Sequence, residues 1–420
     1  MNSHERLASA LNHRQPDRVP VDFGATFVTG IHVSVVHRLR QRVLGESNHL
    51  VKVIEPYQML GEIDDALREA LGIDVIGSLG RKSIFGTEAK DWKEFTTFDG
   101  VTCLVPGALN LTPAPDGGWY MHPEGDTTLG PSGHMPESGY FFDAVIRQDP
   151  IDDDHLDPAD NTEEFALLGE EDLAFYRAKK AWFEARADKG SILVIPGTAF
   201  GDIALVPAPW LKHPRGIRDV SEWYISTKLR RDHVWKIFER QCELALENVR
   251  TLIDLFGDTI QVGLITGTDF GTQRGPFISV DAYRDLYQPF HRQINDLIHR
   301  RSNWKTFIHS CGSVYALIPD FIEAGFDVLN PVQCSAADMD PARLKQEFGR
   351  DLTFWGGGVD TQQTMAFGTP DAVYREVRER IDIFNRDGGH VFDAIHNVQG
   401  NTPIENVESM FKAVRESASG

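Results

Sequence analysis

Short apolar runs alternate with longer amphipathic stretches along most of this chain, and this alternation restricts its fold more than any other feature. Runs such as SILVIP (191–196) and TIQVGLI (259–265) are almost continuously apolar, which is typical of parallel strands that are covered on both faces. Eight such strands alternating with helices predict an α/β fold, a (β/α)8 TIM barrel. The eight predicted strands are residues 19–24, 74–79, 191–196, 259–265, 305–309, 327–330, 352–355 and 390–394.

The amphipathic stretches carry the periodicity of helices. Between residues 281 and 300 the apolar side chains recur at the 3.6-residue period, which predicts one helix, and Ser279 is placed to cap its first turn. Thr369 and Pro370 open the next-to-last helix in the same manner, because threonine is a favoured cap and proline fits the first helical position.

One long gap interrupts the alternation between the second and third strands. Residues 84–142 are rich in turns such as APDGGWY and HPEGDTT, and alternating aromatic and polar residues predict hairpins there. We therefore expect one barrel domain over residues 1–420, with a β-rich insertion at residues 84–142. Long excursions of this kind are often lids or oligomer contacts, so a homodimer is one expectation.

Charge and cysteine content exclude several classes of protein. The formal net charge of −20 argues against nucleic acid and anionic membrane surfaces as general partners. Four scattered cysteines in 420 residues do not form a disulfide framework. The charged N-terminus lacks the apolar core of a signal peptide, and no run of about 18 apolar residues occurs. A cytoplasmic enzyme acting on a small-molecule substrate is expected.

Polar residues follow five consecutive predicted strands, where the active site of a barrel is built. They are Asp269, Gln273 and Arg274 after the fourth strand, His309 and Cys311 at the fifth, Asn330, Gln333 and Cys334 after the sixth, Asp360 and Gln362 after the seventh, and His396, Asn397 and Gln399 after the eighth.

His309 and Cys311 are the pair in this set that most specifically indicates a metal site. Imidazole nitrogen and thiolate sulfur suit Zn2+, and alternate residues at a strand end share one side of the sheet. A third ligand would have to come from another loop; His396 is the first choice and Cys334 the second. The competing interpretation is a buried thiol beside a histidine that is satisfied by the backbone.

The acidic and basic candidates also have structural interpretations. Asp269 and Asp360 could each cap a helix or close a turn instead of acting in catalysis. Arg274 could hold a substrate carboxylate or pair with a carboxylate of the protein. The stretch GGGVD (356–360) matches no dinucleotide fingerprint, although glycine-rich loops can cradle anions.

Four ordered motifs resemble the uroporphyrinogen decarboxylase superfamily, and most of all its zinc-dependent corrinoid methyltransferase branch. They are TDFGTQRGPFIS (268–279), FIHSCGSVYALIPDFIEAGFDVLNPVQ (307–333), GGGVDTQ (356–362) and HNVQGNTPIENV (396–407), with a fainter match at RQPDRVPVDFG (14–24). The resemblance implies a barrel with zinc held by an H-x-C pair after the fifth strand and by a cysteine after the eighth.

His309 and Cys311 match the first two of those positions, whereas His396 stands where the branch has cysteine. The decarboxylase branch has a histidine there, but its arginine-rich opening motif is replaced by VDFGATFVTG (21–30), which argues against a porphyrin substrate. No D-x-H-x-x-G corrinoid motif occurs, so the corrinoid would be carried by a separate protein.

The resemblance implies methyl transfer between that corrinoid protein and a thiol or other acceptor. Asp269 and Asp360 would then orient substrate or metal ligands. Substrate binding is expected of Gln273, Arg274, Asn330, Gln333 and Asn397. Two alternatives stay open: a metal-independent decarboxylase-like or hydrolytic enzyme acting on a small carboxylate, and a non-catalytic barrel that binds a ligand or protein at its mouth.

Overall fold

The computed structural model describes residues 1–418, and its central feature is a seven-stranded parallel sheet. In chain order the strands are β1 (Val53–Glu55), β2 (Leu60–Gly61), β3 (Val75–Ser78), β4 (Lys93–Thr96), β5 (Thr102–Val105), β6 (Leu111–Pro113), β7 (Trp119–Met121), β8 (Gly133–Met135), β9 (Asp143–Ala144), β10 (Gly190–Val194), β11 (Val262–Thr266), β12 (Lys305–His309), β13 (Val328–Asn330), β14 (Thr353–Trp355) and β15 (His390–Val391). The parallel sheet has the order β15-β14-β13-β12-β11-β10-β3.

Helices follow most strands of this sheet, as the alternation predicts. They are α1 (Ser3–Leu11), α2 (Val33–Leu44), α3 (Asp65–Leu71), α4 (Glu170–Glu184), α5 (Val220–Leu229), α6 (Arg231–Phe256), α7 (Val280–Leu286), α8 (Gln288–Arg301), α9 (Ile318–Glu323), α10 (Pro341–Phe348), α11 (Thr364–Phe367), α12 (Pro370–Phe384) and α13 (Ile404–Ser417). Short 3-10 helices occur at Pro123–Gly125, Pro158–Asn161, Gly257–Thr259 and Tyr315–Leu317. Within the described residues no helix is both long enough and apolar enough to cross a membrane.

The first predicted strand, residues 19–24, lies between the two edges of the sheet. Val21 forms a parallel bridge with Phe392, just beyond β15, and the Asp22 N–H donates to the Phe392 carbonyl at 3.0 Å. On its other side the Val21 carbonyl accepts the Asp74 N–H at 2.8 Å, just before β3. Only a bridge forms here rather than a full strand, and the architecture is TIM-like.

Apolar side chains fill the space enclosed by the sheet. The cluster includes Val75, Ile192, Val262, Leu264, Phe307, Val328, Trp355 and Val391, one or two from each of the seven strands. Leu7 and Leu11 of α1 belong to the same cluster, so α1 covers the end at which the strands begin. The functional loops are therefore confined to the opposite end, where the strands finish.

The predicted helix over residues 281–300 is two helices. Helices α7 and α8 meet at Tyr287, because Pro289 at the start of α8 has no N–H to donate and its ring disfavours a continuous helix. The predicted cap is present, since the Ser279 side chain accepts the Ala282 N–H at 3.1 Å. The Thr369 side chain caps α12 in the same way.

Residues 84–142 contain antiparallel strands, as their turns predict. Strands β4 and β5 pair with each other, and β6 to β9 form a four-stranded antiparallel sheet that extends to Ala144. This segment packs against the beginning of the barrel: the Tyr140 carbonyl is 2.9 Å from His32 Nε2, and the Phe142 N–H donates to the Tyr57 carbonyl at 2.7 Å.

One buried carboxylate joins three separate parts of the chain at the start of the barrel. Asp74 is fully buried and accepts hydrogen bonds from Arg6 Nη1 at 2.7 Å, Arg18 Nη1 at 2.6 Å and Ser3 Oγ at 2.6 Å. It also accepts the Val21 N–H at 2.9 Å. Asp74 therefore fixes α1 and the opening segment against β3.

We expect Asp74→Ala to lower the free energy of unfolding by about 3 kcal/mol or more, because two guanidinium groups lose their buried partner. Chemical denaturation followed by circular dichroism measures this loss. The matched control is Asp296→Ala on α8, whose side chain is 51% exposed and should change stability by less than about 0.5 kcal/mol. Equal losses of stability in the two variants would contradict the conclusion that Asp74 fixes α1 and the opening segment against β3.

Candidate metal centre

Three side chains with nitrogen or sulfur donors converge where the parallel strands end. His309 is the last residue of β12, Cys311 follows two residues later, and His396 lies in the loop after β15. One donor atom of each lies within 4.8 Å of the other two donors. Cys311 Sγ is 3.2 Å from His309 Nε2, and the two imidazole centroids are 5.2 Å apart with the rings inclined at 70°. No other such group of three His, Cys, Asp or Glu donors occurs in residues 1–418.

The orientation of the His309 ring is fixed from the neighbouring strand. His309 and Asn330 are register partners in β12 and β13. The Asn330 amide donates from Nδ2 to the Trp355 carbonyl at 2.9 Å, so its Oδ1 is the atom that faces His309 Nδ1, at 2.5 Å. His309 must therefore carry its proton on Nδ1, which leaves the Nε2 lone pair directed toward Cys311.

His396 is held in place by an unusual backbone conformation and by its neighbour. Its φ of 70° lies in the left-handed region, which costs a non-glycine residue about 1 kcal/mol. The Asn397 side chain anchors this turn: Oδ1 accepts the Gly30 N–H at 2.5 Å, and Nδ2 donates to the Phe27 carbonyl and to Gln58 Oε1. The Asn397 N–H donates to His396 Nδ1 at 2.8 Å, so the neutral ring carries its proton on Nε2 and would have to give up this hydrogen bond or exchange its proton to bind an ion.

Asp269 borders the cluster on the side of β11. Its Oδ1 accepts the Cys311 N–H at 2.7 Å and lies 3.7 Å from His309 Nε2. The Tyr224 hydroxyl donates to the Asp269 carbonyl at 2.7 Å, and Ser310 Oγ accepts the Phe270 N–H, so both flanks of this loop are fixed. The Asp269 side chain is 27% exposed and therefore lies at an accessible edge of the cluster.

Burial keeps the donors of the cluster uncharged in the absence of a metal. It lowers the pKa of His309 to about 4 and that of His396 to about 4, the latter with a contribution from His309. Burial also raises the pKa of the Cys311 thiol well above its usual range, and the adjacent Asp269 carboxyl adds to this effect. The pKa of Asp269 is itself raised by burial, against the hydrogen bond from the Cys311 N–H.

Residues 214–417, which contain all three donors, match the family model of uroporphyrinogen decarboxylase, URO-D. This part of the chain is a URO-D family domain. A methylated-thiol–coenzyme M methyltransferase of Methanosarcina mazei is 28% identical over 141 residues, which are 33% of this chain and 34% of that protein. A uroporphyrinogen decarboxylase of Shewanella halifaxensis is 23% identical over 47% of this chain and 57% of its own length. The matched regions thus span about a third to just over half of these curated relatives.

This chain is also similar to the solved structure of a methyltransferase from Methanosarcina mazei. The structural alignment covers 99% of both chains, with a TM-score of 0.54 and 14% identity. At that identity the likeness concerns the fold. The similarity of fold includes the N-terminal half of the chain, which the family model does not match.

The donor set of this URO-D domain fits a zinc ion. Tetrahedral zinc with Zn–N near 2.1 Å and Zn–S near 2.3 Å separates a nitrogen from a sulfur ligand by about 3.6 Å. The Cys311 Sγ to His309 Nε2 distance is 3.2 Å, and two nitrogens with one sulfur suit zinc better than calcium or magnesium. Three protein ligands would leave the fourth position open, which is the arrangement of catalytic rather than structural zinc.

Three of the residues expected to bind substrate make hydrogen bonds that support the cluster. Asn330 is fully buried and orients His309, as described above. Gln333 is 6% exposed, and its Oε1 accepts the Gly312 N–H at 2.8 Å, which holds the loop after Cys311. The Asn397 amide likewise serves the His396 turn.

Gln273 and Arg274 lie on the exposed loop after β11. This loop packs on the Cys311 loop, because the Thr272 carbonyl accepts the Ser313 N–H at 2.7 Å. The Arg274 side chain is exposed, and within residues 1–418 its guanidinium forms no ion pair.

Asp360 and Cys334 lie outside the group of converging donors. Asp360 Oδ1 accepts the N–H groups of Gln362 and Gln363, so its carboxylate closes the turn that leads to α11. The Cys334 thiol donates to the Val332 carbonyl at 3.3 Å. Of the two candidates for a third donor, the structure therefore places His396 and not Cys334 with His309 and Cys311.

Asp202 was not identified from the sequence, although it follows β10 at the same end of the sheet. It is 5% exposed and Oδ1 accepts the Ala204 N–H at 2.9 Å. A Cβ added to Gly267, two residues before Asp269, would lie 3.0 Å from Asp202 Oδ2. The signal for Asp202 in the sequence is its position in the loop after the third predicted strand, the same kind of position as that of the other candidates.

We expect Asn330→Ala to weaken Zn2+ binding by about 10- to 100-fold, because His309 loses the acceptor that fixes its tautomer and ring orientation. Competition with a chromophoric chelator measures the affinity. Asn303→Ala, at an exposed asparagine that donates to Asp258, is the control and should bind as the unmodified chain does. Unchanged Zn2+ affinity in Asn330→Ala would contradict the inference that Asn330 supports the metal centre.

Binding of Zn2+ at pH 7 should release about one proton per chain. The pKa values of His309 and His396 are about 4, so both rings are already neutral, whereas the Cys311 thiol has a raised pKa and must lose its proton to bind. As the pH falls through about 4 the two imidazoles become protonated as well, and zinc affinity should fall steeply. Calorimetry in buffers of different ionisation enthalpy counts the protons; Cys311→Ser should abolish the release and Cys334→Ser should not.

Proposed function

We propose that this chain is a zinc-dependent methyltransferase that moves a methyl group between a corrinoid on a separate protein and a thiol or other acceptor. The observation that carries the proposal is the convergence of His309, Cys311 and His396 at the end of a TIM-like barrel. The URO-D match over residues 214–417 and the similarity to a methylated-thiol–coenzyme M methyltransferase support it.

In this proposal His309 Nε2, Cys311 Sγ and a nitrogen of His396 hold the ion. Zinc at this position would act as a Lewis acid that lowers the pKa of an acceptor thiol, so that the thiolate is available at neutral pH. Asn330 keeps the His309 proton on Nδ1, and the Asn397 anchor keeps His396 turned toward the other two donors.

Asp269 is the group best placed to receive the proton of the acceptor. It lies beside Cys311 and His309 at a partly exposed edge, and burial raises its pKa above the usual carboxyl value, which makes it a stronger base than an exposed carboxylate. Asp360, which was expected to orient substrate or metal ligands as Asp269 would, accepts the Gln362 N–H within its own turn. Gln273 and Arg274 would contact substrate from the rim.

The alternative is a metal-independent decarboxylase-like or hydrolytic enzyme acting on a small carboxylate. Its support is the similarity to uroporphyrinogen decarboxylases and the exposed Arg274, which could bind a carboxylate while Asp269 acts as acid or base. Activity in that case would survive removal of metal and Cys311→Ser.

Protein purified without chelator should contain about one zinc per chain, and His309→Ala, Cys311→Ala and His396→Ala should each lose it. Cys334→Ala, which removes a nearby thiol outside the cluster, is the matched control and should retain zinc. Elemental analysis gives the metal content, and loss of methylcobalamin absorbance with small thiols as acceptors gives the transfer rate. Zinc retained in all three ligand variants, or transfer that persists after zinc is removed, would contradict the proposal.

A further inference from the structure

We propose that a cavity bordered by Asp202 binds a small organic ammonium ion, and that this ion is the class of substrate or co-substrate that the domain receives. The cavity has a volume of about 220 Å3 and lies between the loop after β10 and helices α5 and α6. Its occupation does not require zinc; only the identification of its ligand as a substrate rests on the proposed function.

The Asp202 carboxyl at the wall of this cavity has no cation of the protein as a partner. Asp202 is 5% exposed, and its recorded side-chain hydrogen bond is from the Ala204 N–H to Oδ1. Within residues 1–418 no lysine, arginine or histidine forms an ion pair with it. A buried carboxyl without a partner is costly, and a bound cation would remove that cost.

The one arginine in the cavity wall is already neutralised. Arg218 is 1% exposed and donates to Glu164 Oε1 at 2.8 Å and to Glu163 Oε1 at 3.4 Å. Its Nε donates to the Arg215 carbonyl. An anionic ligand would therefore meet Asp202 and Glu164 but no free positive charge, which argues against a carboxylate or phosphate.

The remaining wall suits an organic cation rather than a metal ion. Trp210, Trp223 and Phe165 supply aromatic surface, and Leu205 and Ile237 supply aliphatic surface. A carboxylate together with aromatic faces is the combination that recognises ammonium groups, since the ring quadrupole attracts the cation while the rings cover its apolar body. The volume equals that of about seven liquid water molecules, which limits the ligand to a small one.

Asp202 also connects this cavity to the metal centre. Its Oδ2 lies against Gly267, in the loop that carries Asp269, and Asp269 hydrogen-bonds the Cys311 N–H. Burial raises the pKa of Asp202 to about 7, and the nearby Asp269 adds to the rise, so an ammonium ion would stabilise the ionised form of Asp202. A ligand held by Asp202 would thus lie next to the loop that positions Cys311.

The test is calorimetric titration of the full chain at pH 8 with benzylammonium, benzyl alcohol and benzoate, which share a ring and differ in charge. Benzylammonium should bind at least tenfold more tightly than benzyl alcohol, and benzoate should not bind. Asp202→Asn should lower the affinity for benzylammonium at least tenfold. Ala199→Leu, which fills part of the same cavity, should also lower this affinity. Asp296→Asn, at an exposed aspartate of α8, should leave binding unchanged.

Three results would overturn the proposal: no binding of benzylammonium, equal binding of benzoate, or unchanged affinity in both cavity variants. Circular dichroism checks that Asp202→Asn folds, and Ala199→Leu supplies an independent result if it does not. The His309→Ala variant separates this inference from the proposed function. Binding that persists in it, with zinc content measured alongside, supports a cavity site whatever the fate of the methyltransferase assignment; binding lost in it would place the ligand on the metal centre instead.

Discussion

The parallel register of β12 and β13 is the constraint on which the candidate centre depends. It sets His309 beside Asn330, and the Trp355 carbonyl of the next strand fixes which way the Asn330 amide faces. Three adjacent strands thus determine the proton position on a single imidazole. A shift of one residue in this register would turn His309 to the other face of the sheet and remove the centre altogether.

Much of this fold was predictable because buried parallel strands leave a strong signal in sequence. The stretch at residues 305–309 coincides with β12, and the other predicted strands of the sheet overlap observed ones. The exceptions have local causes. Residues 19–24 form only a bridge to Phe392, and the predicted helix at 281–300 breaks at Tyr287 because the periodicity does not register Pro289. The spacing of apolar residues indicates which side chains are buried, but it does not indicate how the backbone hydrogen bonds are arranged.

The candidate site was less predictable, because its supporting contacts join residues far apart in the chain. Polar residues at strand ends suggested His309, Cys311 and His396, but nothing local in the sequence indicates that the Asn397 side chain would accept the Gly30 N–H. The left-handed backbone of His396 could not be predicted from the sequence either, since only a few per cent of non-glycine residues adopt that conformation even though histidine is among those that tolerate it. The pattern thus indicated which residue types gather at the mouth, and long-range contacts decided their roles.

The carboxyl groups near the ends of the parallel strands explain how the net charge of a zinc centre with one thiolate could be balanced. Zn2+ with one cysteine thiolate and two neutral imidazoles carries a net charge of +1, so it would be more Lewis acidic than a centre with two thiolates. The Asp269 carboxylate, 3.7 Å from His309 Nε2, is close enough to offset that charge. Asp202 is a further buried carboxyl at this end of the sheet that has no ion-pair partner within residues 1–418, and the ammonium ion proposed above would supply one.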